Sequence, residues 1–240
     1  GVLNKLKEIS FRKLKRTYNE SYKITEKIIK LADKREDFAF GLEDKVLIGF
    51  FEEVLRATKS IIILLNADNP SSIITIVRKI FENRLYIQYL IDQEEDIKIR
   101  ARSYYLNYYK NSLNMANSIV QKNKIGMEIR QGFGINTQDL YITEEFIEEK
   151  FDMIKNDFRD VLQLRKMKDA WYNLDKKTNT IEKLALKLKM RPHYELFYRL
   201  YSQDTHSSNS MKVMQATSET DELDRNLIYI TKHKEEVGDI

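Results

Sequence analysis

Two arginine-centred patterns in this sequence have the residue types for chemistry. Arg78 and Glu82 stand four residues apart, the spacing that places side chains on neighbouring turns of one helix face. The stretch 70–91 around them is apolar nearly all round, with Ile73, Ile74, Ile76, Val77, Ile80, Phe81, Leu85, Ile87 and Leu90, and its narrow polar strip centres on Lys79 and Asn83. Arg78 is turned roughly 100° from that strip, towards Ile74, Leu85 and Tyr89. A guanidinium there needs a partner, because an unpaired buried charge costs several kcal/mol, and Glu82 is the nearest one. The pair is either a structural lock on helix register or a polar centre that binds a ligand.

The second pattern is Arg191-Pro192-His193-Tyr194-Glu195-Leu196-Phe197-Tyr198-Arg199-Leu200-Tyr201-Ser202-Gln203-Asp204-Thr205-His206, which holds two of the three histidines. His206 precedes Ser207-Ser208-Asn209-Ser210 and is expected at a helix–loop junction. A histidine that titrates near neutrality moves protons, and an arginine one or two turns earlier binds phosphate. The alternative is a histidine that caps a helix C-terminus. His193 and His233 read as surface residues. Tyr104, Tyr105, Tyr108 and Tyr109 form an aromatic stripe that either fills core or lines a polar pocket facing Arg78, with Arg102 beside it and Tyr198 from the later helix.

Other chemistries lack their residues. No glycine-rich phosphate loop precedes a helix, no His-Glu-x-x-His pattern occurs, and three scattered histidines do not suit a histidine-based metal site. Acidic side chains could hold Mg²⁺, but no spacing points to it. No metal and no cofactor is therefore expected. The chain has no cysteine, which rules out disulfides and thiolate chemistry and fits a reducing, cytoplasmic setting. Its net charge of +4 is what a solvated helical surface carries and does not by itself imply nucleic acid.

The elements that must position these residues are helices. Seven glycines and two prolines in 240 residues leave little punctuation for sheets, and the apolar spacing is three to four almost throughout. Helices are expected at about 4–35, 43–67 and 70–91, the last opened by Asn69-Pro70. Asp92 to Asp96 forms an acidic corner before a tyrosine-rich helix. The stretch 124–141, with Gly126, Gly132 and Gly134, reads as the one long loop or lid. Thr143 caps a helix of about 143–168, Trp171 lies in a connector, Thr180 opens a helix to Met190, and Pro192 opens another to about Ser202. A last piece is expected near Leu227–Thr231. The fold class is all-α, a single bundle of seven to nine helices centred on 70–91. It is divided as an N-terminal extension (1–40), a helical core (41–210) and a C-terminal tail (211–240). The longest apolar run, Ile61 to Leu65, is too short for a membrane span, and no signal peptide is evident at the N-terminus.

Ser72 through Glu82, with Arg-x-x-x-Glu after small and apolar residues, resembles a helix of the mostly bacterial proteins grouped as domain of unknown function fifty-six seventy-seven. Tyr194 through Ser208, a tyrosine-rich helix leading to a histidine and serines, is similar to that family's late segment, and Trp171-Tyr172 also fits. The resemblance covers about residues 40–210. That family brings no established activity with it.

Arg199 and His206, separated by six residues, are also similar to the Arg-x(4–6)-His motif of HEPN ribonucleases, helical proteins common in toxin–antitoxin and phage-defence systems. Leu200 stands where those proteins usually carry a polar residue. This resemblance implies a homodimer that cuts RNA without metal, with Arg199 and His206 catalytic. Arg78, Glu82, Arg102, Tyr105, Tyr109 and Tyr198 would form the binding surface. The alternatives are a non-catalytic helical module that binds a small anionic ligand or a partner protein, and a structural domain with a buried ion pair.

Overall fold

The structure, a computed structural model, describes residues 2–34, 39–69, 72–136 and 142–200. Among them are nine α-helices and no strand, the all-α fold that the spacing predicts. They are α1 (Val2–Asp33), α2 (Leu42–Asn66), α3 (Ile73–Ile91), α4 (Ile97–Val120), α5 (Lys124–Gly132), α6 (Glu144–Asp157), α7 (Arg159–Leu164), α8 (Ile181–Lys187) and α9 (Arg191–Tyr194). The acidic corner is a tight turn, Glu94–Asp96. Helix α9 continues into a wider π-type turn over Glu195–Leu200. His206, His233 and the predicted piece near Leu227–Thr231 lie outside the described residues.

Helix ends follow local chemistry. Thr143 Oγ1 accepts from the Phe146 N–H at the start of α6, and Thr180 Oγ1 does so from Lys183 at α8. Asn69-Pro70, however, does not open α3, which starts at Ile73 with Ser72 in the cap position. The reason is that Asn69 completes the helix before it. Asp68 takes a left-handed backbone (φ 51°), and the Asn69 N–H reaches back to the Leu64 carbonyl at 2.9 Å, closing α2.

Of the stretch read as a loop, 124–141, the described part (124–136) is mostly helix, and 137–141 lie outside the described residues. Asn123 caps α5 by accepting from the Gly126 N–H at 2.9 Å. Gly134, at φ 63°, and the Ile135 N–H bonded to the Arg130 carbonyl at 2.8 Å end it in a Schellman turn. Gly126 serves close packing: a Cβ there would sit 2.1 Å from the Gln121 carbonyl oxygen. Arg130 also donates to the Ile119 and Gln121 carbonyls, capping the end of α4. The helix predicted over 143–168 is broken at Phe158 (φ −112°, ψ 32°), whose ring is buried at the break.

Two apolar clusters form the core. The first joins Val46 and Phe50 of α2, Phe81, Leu85, Tyr89 and Leu90 of α3, Ala101 of α4, Trp171 and Tyr172, and Leu184, Ala185, Leu188 and Met190 around α8. The second joins Leu106 and Leu113 of α4 with Ile147, Ile154, Phe158 and Val161 of α6 and α7. Helix α4 thus belongs to both, and α1 packs along α2. Helix α3 packs against α2, α4, α8 and the π-type turn, although its buried residues all fall from Phe81 onward, between Phe81 and Leu90. Asn83, expected on the wet strip, is buried. Its Nδ2 donates to the Lys79 carbonyl at 2.9 Å, which satisfies the amide away from water.

The segment 165–180 between α7 and α8 is no simple connector. Trp171 is 5% exposed and ringed by Tyr104, Tyr86, Tyr89, Tyr172 and Phe50, with centroids 5.2, 5.3, 5.5, 5.7 and 6.1 Å away. Further along, Asp175 accepts from the Lys177 and Thr178 N–H groups, the Thr178 hydroxyl and Lys187 Nζ at 2.7–2.9 Å. Burial alone would raise the Asp175 pKa, but these donors together outweigh it and hold the carboxyl below the usual aspartate range.

Two outcomes are expected. Trp171→Ala should destabilise the chain by about 3–5 kcal/mol, read by urea denaturation; a cost under about 1 kcal/mol would show that the ring is not central to packing. Asp175→Ala should cost about 1–2 kcal/mol at neutral pH, allowing for partial exposure. Because its folded pKa is depressed, this contribution is present above the unfolded value of about 3.9 and disappears as pH falls through the folded value. The gap between wild type and variant should therefore narrow in acid, and an equal gap at both pH values would exclude Asp175 as its source.

Candidate functional site

The two arginine-centred patterns meet in space. Helix α3 presents Arg78 to the π-type turn after α9, and the guanidinium carbon lies 4.0 Å from the centroid of the Tyr198 ring. Glu82 Oε1 is 3.9 Å from Arg78 Nε. The pair is half-buried, with side chains 17% and 30% exposed, where the sequence implies fuller burial. No residue of α3 before Phe81 is buried, which is why Arg78 retains access to solvent. Neighbouring rings extend the contact: Phe81 with Phe197 at 6.2 Å, and Tyr194 stacked on Tyr198 at 5.2 Å.

Burial raises the Glu82 pKa above the ordinary glutamate value, while the Arg78 charge and the Tyr198 hydroxyl pull it back. Tyr86 and Tyr172 stack at 6.0 Å nearby. Burial, with the Glu82 charge contributing, pushes the Tyr86 pKa far up. Burial carries Tyr172 to about 12, with Tyr198 and Glu82 adding to it. Both phenols therefore stay protonated at any physiological pH and can serve only as neutral donors or acceptors.

Arg199, next in sequence to Tyr198, points elsewhere. Its side chain is 72% exposed and meets Glu195 at 3.1 Å. The other half of the predicted catalytic pair, His206, lies outside the described residues. His193 is exposed, as expected of a surface residue.

Arg102 is not brought to Arg78. It forms a forked pair with Asp160 at 2.8 and 2.9 Å, donates to the Asp157 carbonyl at 2.7 Å and lies 4.8 Å over the Phe158 ring. Tyr105 stacks on Tyr109 at 6.3 Å and packs beside Phe158 at 6.1 Å. Arg102 and Tyr105 thus join α4 to the break between α6 and α7, with Tyr105 40% exposed. Of the tyrosine stripe, Tyr104 is the member that packs on Trp171, and Tyr108 is exposed.

Sequence reasoning missed several buried polar residues. Arg165 is 2% exposed and donates to Ser103 Oγ and the Ser103 carbonyl at 2.7 and 3.0 Å. It follows Ile154, Phe158 and Val161 at helical spacing, so a charge on an apolar face, the logic that singles out Arg78, was there to be read. Arg100, equally buried, pairs with Asp96 at 2.8 Å and lies 4.4 Å over the Tyr89 ring. Asn173 in the connector carried no such signal.

The family model for DUF5677, a family of unknown function, matches residues 44–223. The chain belongs to this family. No curated protein and no solved structure matches it. The matched span of DUF5677 begins at the start of α2 and takes in both arginine-centred patterns and the Trp171 connector. The contact between Arg78 and Tyr198 thus ties together two segments of the family domain that lie far apart in sequence.

That contact should be measurable as a coupling. In a double-mutant cycle of Arg78→Met and Tyr198→Leu, we expect an interaction energy of about 0.5–2 kcal/mol from chemical denaturation. Strictly additive effects would mean that the guanidinium and the ring do not hold each other.

Proposed function

We propose that this chain is a metal-independent RNA endonuclease of the HEPN type, acting as a homodimer in a defence system, with Arg199 and His206 as its catalytic residues. The observation that carries this reading is the division of labour at the π-type turn. Tyr198 is held against α3 by Arg78 and Glu82, while the adjacent Arg199 is offered to solvent with Glu195 as its ion-pair partner. A phosphate is a better partner for a guanidinium than an exposed carboxylate four residues away, because that surface pair contributes at most about 1 kcal/mol.

In this mechanism the RNA 2′-hydroxyl attacks the adjacent phosphorus and gives up its proton to a base. The P–O bond to the 5′ leaving oxygen breaks, and that oxygen takes up a proton. A 2′,3′-cyclic phosphate and a 5′-hydroxyl result. His206 carries one of these two proton transfers, as base or as acid, and Arg199 stabilises the charge that builds on the phosphoryl oxygens. Arg78 and Glu82 act as positioning residues, through Tyr198.

Purified protein incubated with total RNA should cleave it equally with and without EDTA, and His206→Ala should abolish cleavage. The rate should follow a group titrating near about 6.5. No cleavage by folded wild type, as monomer or dimer, would replace this reading with that of a non-catalytic module binding an anionic ligand or a protein. Cleavage that stops in EDTA would exclude the metal-independent chemistry.

A further inference from the structure

A cavity of about 540 Å³ opens beside the 165–180 connector, away from the turn that bears Arg199. Its lining includes Arg165, Lys166, Lys168 and Lys176 and, among the described residues, a single carboxylate, Asp169. That carboxylate is already engaged, since Asp169 Oδ2 accepts the Lys166 N–H at 2.9 Å. The lining is therefore strongly cationic.

The deepest cation is met by oxygen dipoles and by the charge of Asp169 nearby. Arg165 is buried, and its hydrogen-bond partners among the described residues are all neutral: Ser103 Oγ and carbonyl, and the Lys166 and Asp169 carbonyls. Lys110, which donates to the Met167 carbonyl at 3.3 Å, responds to the same field. Burial lowers its pKa, and the Arg165 charge adds to that lowering.

A second and independent feature marks the wall. Asn173 is 5% exposed and lines the cavity, and its Oδ1 is the buried side-chain oxygen that finds no hydrogen-bond donor among the described residues. Leaving such an acceptor unmatched costs about 1–3 kcal/mol. Packing does not force this, because the backbone N–H of Asn173 is satisfied by the Ala170 carbonyl at 2.9 Å and the turn is held independently by Asp175. Asn173 lines the cavity while Oδ1 itself is closed to solvent, so a donor from the cavity reaches it through a small turn of the side chain.

We propose that this cavity is a binding site for a phosphorylated small molecule of nucleotide size, whose phosphate groups meet Lys166, Lys168, Lys176 and the field of Arg165, and whose hydroxyl or amino group donates to Asn173 Oδ1. The size lies within the range of small-molecule sites. The cations supply charge complementarity, and the orphan acceptor selects a ligand that is more than a bare anion. None of the lining residues belongs to α9 or the π-type turn, so the site stands whether or not the chain cleaves RNA.

Titration calorimetry of the full chain with ADP, pyrophosphate and adenosine tests this, with circular dichroism confirming that each variant is folded. ADP should bind saturably, more tightly than pyrophosphate, and weaken as salt is raised. The surface variant Lys168→Glu/Lys176→Glu should weaken ADP at least about tenfold. Asn173→Leu should weaken ADP and leave pyrophosphate unchanged. Absence of saturable ADP binding by folded wild type, or ADP binding that the double lysine reversal leaves intact, would overturn the proposal. So would an RNA oligonucleotide that binds here when ADP does not.

Discussion

The fold depends on one buried hydrogen-bond chain. Arg165, at the end of α7, donates through Nε to Ser103 Oγ, and Ser103 in turn donates to the carbonyl of Trp171. Ser103 lies in α4 and is fully buried, so the link pins the start of the 165–180 connector to α4 at two points six residues apart. An arginine stays charged at any pH a protein meets, and burial makes that charge expensive. The fold compensates by surrounding the guanidinium with carbonyl and hydroxyl oxygens. The arrangement is strict because each acceptor has to be in place: a shift of the 165–180 connector would expose the charge to apolar surroundings and strand the Trp171 carbonyl.

Much else follows from that anchor. With its carbonyl fixed, Trp171 projects into the first apolar cluster, where Phe50, Tyr86, Tyr89 and Tyr104 converge from α2, α3 and α4. The same connector ends in the turn organised by Asp175, whose bond from Lys187 ties it to α8. Helix α8 leads directly to α9 and the turn bearing Tyr198 and Arg199. The position of that turn against α3 is thus set from two sides, by the core behind α8 and by Arg78 in front. The connector also borders the cationic cavity, so one irregular segment both closes the core and shapes a wall of that cavity.

The helical architecture was legible because it rests on spacing. Apolar residues at three and four, and the oxygen-bearing caps Thr143 and Thr180, act locally and can be read one element at a time. The mistakes came where a residue's role is decided by a neighbour distant in space or by the preceding helix. Asn69 resembles an N-cap yet closes α2. Gly126 resembles a loop marker yet permits α5 to touch the Gln121 carbonyl. Asn83 resembles surface, but a bond to its own helix lets it sink. At the candidate site, Arg78 and Glu82 were legible from the conflict between charge and apolar setting, and the same conflict at Arg165 would have revealed the hub. Asn173 could not be found this way, since an asparagine in a polar connector breaks no pattern and becomes notable only once its oxygen is seen buried without a donor.

The geometry at α9 gives the half-buried Arg78–Glu82 pair a role that stability alone does not explain. A long, half-exposed ion contact adds little to folding. A cation over a ring, however, fixes direction as well as distance. Successive residues on a helical turn diverge widely around the axis, so clamping Tyr198 inward obliges Arg199 to face out. Glu82 reinforces the clamp from the next turn of α3, its charge bearing on both Arg78 and the tyrosines around it. The wider π-type turn matters here, because it gives residues 195–200 a rotation that a regular α-helix starting at Arg191 would not produce. The Arg-x-x-x-Glu pattern of α3 thus fixes the orientation of the π-type turn that bears Tyr198 and Arg199.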